Sequence, residues 1–390
     1  MITPTDVEHV LAYQDPRHAC NQGSIIKLAN GELMLGFNME RGLFHSDSGQ
    51  SCFVRSSDGG QTWDAATFQV VWPWTEHGGN WDCAFAQTSD GTILMHTRVC
   101  SFIAPSALKD GADQTLGAPP PGRPERLKRQ TGYAILRSED LGRTWSAPVP
   151  VNTAPIASEG LMPYSVGGSG ACHIVELPDG GLLMPLHGSI GREFQPREGE
   201  TLRCFVLRSD DGGANWEYWS TVGYDPGHIL GWAEQGLTRL ANGTLVSMMR
   251  TSVKPSRNDN MWIAHSEDDG ASWSAPRRTT LWGFPPDLIQ LQDGRVLAVY
   301  GHRKEPDGVR GCVSEDGLSW DLDNEFVIRS GGFADPSVAM YWHTGYPSVV
   351  QLEDGTIVCA YHEYVPNGEA PEPIQAMWTT RFRLPPSGGS

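Results

Sequence analysis

Short runs of alternating apolar and polar residues recur along the whole chain, and glycine-rich corners separate them. The stretch before Asp64 shows the pattern: Ser24–Leu28, Glu32–Asn38 and Cys52–Ser56 read as three strands, and Thr67–Val71 follows as a fourth. A period of two punctuated by turn residues predicts β-strands, and no segment carries the longer period of an amphipathic helix.

Two kinds of corner alternate. The first sets Asn-Gly or Asp-Gly between apolar runs, with its glycine at Gly31, Gly91, Gly180, Gly243, Gly294 and Gly355. This is the strongest short-range signal for a β-hairpin. The second is a Ser-x-Asp-x-Gly-x-(Thr/Ser/Asn)-Trp corner starting at Ser56, Ser138, Ser209 and Ser266, with a copy one residue shorter from Ser314. Its Asp and Ser side chains can hold backbone N–H groups, its Gly takes positive φ, and its Trp plugs the turn. The Asx-Gly corners are spaced by about 65 residues, which six units repeat over almost the entire chain.

Each unit reads as strand, Asx-Gly turn, strand, loop, strand, tryptophan corner, strand. The expectation is an all-β, six-bladed β-propeller of four-stranded antiparallel blades, with residues 1–390 forming one propeller domain. The sixth unit lacks a tryptophan corner. Its third strand is expected at Pro373–Leu384, and the N-terminal Val7–Gln14 is expected to supply its outermost strand and close the ring.

Composition narrows the function. Gly 45 and Pro 28 with 19% charged residues fit many tight turns, and the net charge of -17 argues against binding a phosphate backbone, so no nucleic-acid partner is expected. The N-terminus has no basic start followed by an apolar core, and nowhere do 18 apolar residues run together, which suggests a cytoplasmic chain without a membrane partner. Eight cysteines stand singly, several within strand-like runs, and read as buried free thiols. No CxxC or HExxH run suggests a metal, and no cofactor is expected.

Both corner types fall on one face of such a propeller. The starts of first strands, the ends of second strands and the loops from second to third strands therefore surround the axial mouth on the other face. Polar residues at those places are Asn21, Gln22, Glu40, Arg41, His45, Asp47, Asp82, His96, Arg98, His187, Glu234, Arg250, Asp287, His302, Arg303, Arg310, Tyr346 and Glu363, with Trp81 beside Asp82. The long segment Ser101–Gly132 is expected to overhang the same face.

This order of residues resembles the sialidase (neuraminidase) superfamily of Asp-box propellers over essentially the whole chain. The resemblance implies that Asp47 is the acid/base, that Tyr346 is the nucleophile, and that Glu234 is its base. Arg250 and Arg310 would bind a carboxylate, with Glu363 at the supporting-Glu position. Arg303, Arg41, Asp82, His96, His187 and Asn21 complete the expected substrate-binding set. The chain departs from the family at Asn21, which stands where the first carboxylate-binding arginine is expected, and Arg17, Arg41 and Arg303 are the candidates to replace it. Pro347 also replaces the serine after the tyrosine.

The chemistry suits these residue types. A sugar with a carboxylate on its anomeric carbon repels an anionic nucleophile, so a neutral phenol activated by a base is favoured. The expected function is retaining exo-hydrolysis of a terminal acidic sugar, with an acidic carbohydrate as partner. Two alternatives stay open. One is a uronate-directed lyase using Tyr and a histidine such as His96 or His187. The other is a non-catalytic glycan-binding propeller using Trp72, Trp74 and Trp81 as platforms.

Overall fold

The computed structural model describes residues 2–41, 48–75, 78–103, 127–152, 166–188, 202–227, 229–251, 259–331, 344–366 and 374–387; for 101–103 and 127–131 only the backbone is described. It contains six four-stranded antiparallel sheets arranged as a β-propeller. Blade 1 runs outward through Ala19–Lys27, Leu33–Glu40, Gln50–Ser56 and Asp64–Trp72. Blades 2 to 5 repeat this order, their second strands being Ile93–Ile103, Leu182–Gly188, Leu245–Thr251 and Val296–His302. Blade 6 consists of Thr344–Gln351, Ile357–Val365 and Ile374–Arg383, and the N-terminal strand Thr5–Tyr13 pairs with the last of these.

The corners form as their composition dictates. Each Asx-Gly glycine lies at positive φ, from 84° at Gly180 to 94° at Gly243, where a Cβ would be strained. In the first tryptophan corner Ser56 Oγ accepts from Gly60 N–H at 2.8 Å, and Asp58 accepts from Thr62 N–H and Thr62 Oγ1 at 2.9 and 2.6 Å. The same bonds recur around Asp140, Asp211, Asp268 and Asp316. Two of the tryptophans bond across to the preceding blade, Trp63 Nε1 donating to Thr379 Oγ1 and Trp273 Nε1 to Ser220 Oγ, while Trp216 Nε1 donates to Gly213 O of its own corner.

The apolar core is correspondingly divided into layers between blades. Ala86, Leu94 and Ile135 of blade 2 pack with Met184, Phe205 and Trp216 of blade 3, and every other neighbouring pair has such a layer, including blades 6 and 1. Burying large apolar side chains here contributes about 1.5–3 kcal/mol each, so ring closure is driven at every joint. All eight cysteines are buried free thiols. Among the described residues no helix is long and apolar enough to cross a membrane.

The innermost strands of blades 1, 2, 4 and 6 share a one-residue bulge opposite their second strands. At each bulge a non-glycine residue takes left-handed backbone: Gln22 (φ 56°), Asp82 (60°), Glu234 (42°) and Tyr346 (51°). Such a conformation costs about 1 kcal/mol or more, and a bulge turns a side chain that alternation would place elsewhere. The freed N–H groups find side-chain acceptors on the preceding blade. Gln22 N–H donates to His362 Nδ1, Cys83 N–H to Asn38 Oδ1 and Glu234 N–H to His187 Nδ1.

Blade 3 departs further. Its inner strand pairs at Gly167 and again only at Val175–Glu176, and the segment between crosses the propeller axis. Cys172 Sγ donates to Gln235 O of blade 4. His173 bonds Phe85 O of blade 2 and Ser348 Oγ of blade 6, and its Nε2 lies 3.4 Å from Asp287 Oδ2 of blade 5. Gly170 abuts the Gly23 carbonyl of blade 1 so closely that a Cβ would collide with it. This crossing touches every other blade and so forms a floor across the axis.

Candidate active site

Three of the four bulges carry chemistry toward one mouth of the propeller. Tyr346 Oη donates to Glu234 Oε1 at 3.0 Å. Arg250, from the end of blade 4's second strand, donates to the other oxygen, Glu234 Oε2. Burial opposes the charge on Glu234, but Arg250 outweighs it and holds the carboxyl below its ordinary range. Burial and the Glu234 carboxylate push the Tyr346 phenol well above its usual value. At neutral pH the pair is therefore a neutral phenol donating to a carboxylate.

Two guanidiniums share one ring beside this pair. Arg250 Cζ lies 4.3 Å and Arg303 Cζ 4.7 Å from the centre of Phe284, and Arg303 also stands 5.5 Å from the Tyr346 ring centre. Arg303 is 7% exposed, and its Nε and Nη2 have no partner among the described residues. Burial lowers its pKa to about 10, a sign of a cation held without a full counter-charge. On the other side Arg98 pairs with the buried Asp82, and its charge is felt by His187. Among the described residues three guanidiniums thus face two carboxylates in a protein of net charge -17, a local positive excess. An excess of cations at a concave mouth attracts an anion.

The remaining residues expected from sequence lie as follows. His187 accepts from the Glu234 N–H, and burial lowers its pKa to about 4, so it is a neutral support behind the glutamate. His96 is fully buried with both ring nitrogens engaged, by Tyr133 Oη at 2.7 Å and by Cys172 O at 2.8 Å, which places it under the floor. Asn21 points away from the pocket, donating to Glu40 Oε1 and Gln375 Oε1. Glu363 is held by Arg329 through two bonds of 2.8 Å. Arg310 lies 3.5 Å from Glu325, and Arg41 stands over Trp74. Asp287 belongs to the floor, accepting from Val349 N–H. His302 packs against Trp282. Asp47, His45 and most of the long blade 2 loop fall outside the described residues.

Arg98 and Gln22 were legible as mouth residues from their positions alone, but nothing in the sequence raised them above their neighbours. Phe284 and His173 carry no sequence signal of their own: one is an ordinary apolar residue, the other sits in a detour visible only as the glycine-rich stretch before it. His362 is hidden by its neighbour Glu363. Successive strand residues face opposite sides, and it is His362 that lies against Tyr346, at 5.7 Å between ring centres. Among the described residues no group of three or more His, Cys, Asp or Glu could hold a metal ion.

Fold and site together define a six-bladed β-propeller with a tyrosine–glutamate pair and an arginine cluster at one axial mouth. The chain belongs to the BNR repeat-like domain family, whose model matches residues 83–359. No curated protein sequence matches it significantly. Among solved structures it is similar to a protein of unknown function from Dyadobacter fermentans, at 23% identity over 98% of this chain and 100% of that one, with a TM-score of 0.79. It is also similar to the NanB sialidase of Streptococcus pneumoniae, at 12% identity over 95% of this chain and 70% of that one (TM-score 0.65). An α-L-arabinanase of Penicillium chrysogenum follows, at 13% identity over 97% and 98% of the two chains (TM-score 0.58). At these identities the likeness is one of fold.

Proposed function

We propose that this mouth performs retaining hydrolysis of a terminal acidic sugar, with Tyr346 as nucleophile. The observation that carries the reading is the 3.0 Å bond from Tyr346 Oη to Glu234 Oε1, with Arg250 and Arg303 flanking it on Phe284. As Tyr346 Oη attacks the anomeric carbon, Glu234 takes its proton. Proton loss is concerted with attack, because the gap between a raised phenol pKa and a lowered carboxyl pKa leaves no free tyrosinate beforehand. Asp47 is assigned the proton delivered to the leaving oxygen and the later activation of water. The glycosyl–tyrosine bond then breaks with overall retention. Arg250 and Arg303 take the substrate carboxylate, and Arg303 fills the place expected of Arg310.

The alternatives fare less well. A lyase using His96 would need a ring nitrogen free to take a proton, and both are bonded; one using His187 would rely on an imidazole that burial lowers to about 4, a weak base at neutral pH. A binding module built on Trp72, Trp74 and Trp81 would need several exposed indoles side by side, yet Trp81 is 1% exposed, and Trp74, at 39%, has Arg41 stacked over its ring. The test is a screen of the full chain against glycosides of sialic acid and of uronic acids. Release of free sugar with retained anomeric configuration supports hydrolysis. An unsaturated uronate absorbing in the ultraviolet would replace it with the lyase, and unchanged substrate that nonetheless binds would leave a lectin.

A further inference from the structure

Gln22 occupies in blade 1 the bulge position that Glu234 and Tyr346 hold in blades 4 and 6. Its neighbour across the blade joint is His362, whose ring lies against Tyr346. The two residues are 1% and 0% exposed, and Gln22 Oε1 and His362 Nε2 have no hydrogen-bond partner among the described residues. Since His362 Nδ1 accepts from Gln22 N–H, the single proton of the neutral imidazole sits on Nε2. One acceptor and one donor, both buried and neutral, therefore stand on the blade 6 and blade 1 side of Tyr346. The cations Arg250 and Arg303 line the blade 4 and blade 5 side. Buried polar groups left unsatisfied are costly, and beside the Tyr346–Glu234 pair a ligand group of matching polarity would satisfy these two.

We infer that Gln22 and His362 form a neutral subsite for a hydroxyl or amide of the bound sugar, Gln22 Oε1 accepting from it and His362 Nε2–H donating to it. The pocket is then divided by charge, with the carboxylate toward Arg250 and Arg303 and an uncharged polar substituent toward blades 6 and 1. The inference rests on the reading of this mouth as a sugar-acid site and names the second group that site recognises.

Calorimetric or thermal-shift titration with two probes separates the claims: free sialic acid, and pyruvate, a carboxylate without hydroxyls. The wild-type chain is expected to prefer sialic acid. Gln22→Gly keeps the bulge, since glycine accepts φ 56°, and His362→Asn keeps an acceptor for the Gln22 N–H. Each is expected to weaken sialic acid about tenfold while pyruvate binding stays unchanged, as loss of a buried bond to a substrate hydroxyl would dictate. Arg303→Met should weaken both probes. Wild-type affinity for sialic acid in Gln22→Gly and His362→Asn, or parallel loss of both probes in them, overturns the neutral subsite alone. Binding of neither probe by the wild type, or no effect of Arg303→Met, overturns the acid-site reading and the subsite with it. Nitrogen-15 spectra of the imidazoles add a readout that needs no ligand: a proton on Nδ1 of His362 would also sink the proposal.

Discussion

Tyr346 Oη and Glu234 Oε1 meet at 3.0 Å although 112 residues separate them in the chain. Each sits at the left-handed residue of an inner-strand bulge, and this shared distortion turns both side chains to the same mouth. If the phenol is the nucleophile, Tyr346→Phe lowers kcat by about a thousandfold or more while leaving the thermal midpoint close to wild type. Glu234→Gln, which keeps the shape but not the base, lowers kcat about 10²–10⁴-fold. Turnover near wild type in Tyr346→Phe would remove the mechanism.

Arg303 is a buried cation whose partners are ring faces and the Tyr346 hydroxyl. Replacing it with Met removes an under-compensated charge, so the ligand-free protein gains about 1 kcal/mol or more and its thermal midpoint rises, while KM for an acidic glycoside increases at least about tenfold. Arg250→Met has the opposite effect on stability, because it strands the Glu234 carboxylate and costs about 3–5 kcal/mol. A pair of melting curves distinguishes the two arginines.

Stability against pH follows from buried imidazoles. Burial lowers His96 and His187 to about 4, and burial together with Arg303 lowers His362 to about 3, all from 6.5. Below 6.5 the unfolded chain takes up protons that these native imidazoles refuse, so stability falls from about pH 6.5 toward 4, by up to about 1.4 kcal/mol per pH unit for each. For His173 burial acts downward, but the Asp287 carboxylate outweighs it and raises the pKa. Its contribution is fully present below 6.5 and lost as pH rises through the folded value. Burial lowers His9 and His302 too, so thermal midpoints should drop between pH 7 and 5, and His362→Asn should flatten part of that slope. An unchanged slope would contradict the neutral, buried state of His362.

The floor makes its own prediction. His173→Ala leaves Asp287, 1% exposed, without its imidazole and opens the joint among blades 2, 5 and 6, at a cost of about 3–5 kcal/mol. Gly170→Ala drives a Cβ into the Gly23 carbonyl and should cost about 1–3 kcal/mol by overpacking. Because Gly23 follows Gln22 and Ser348 lies two residues past Tyr346, both variants should also lower kcat. Denaturant unfolding and kinetics on the same preparations check the pair of effects.

The six-blade architecture was readable because its determinants are local. An Asp-Gly turn or a Ser-x-Asp-x-Gly-x-Thr-Trp corner closes its own hydrogen bonds within a few residues, and six repeats leave little choice of fold. That Tyr346, Glu234 and Arg250 share a face was legible for a related reason, since all three occupy repeated positions at strand ends; their grouping out of the other mouth residues came only with the family resemblance. Tertiary structure alone decided which neighbour on each strand faces the axis. A single inserted residue reverses the alternation, so Gln22 rather than Asn21 takes the bulge. A comparable choice at the blade joint sets His362 rather than Glu363 against Tyr346. It also decided that Arg303 and Arg250 share the Phe284 ring, and that a glycine-rich detour from blade 3 closes the axis, because those contacts join blades whose sequences carry no record of one another.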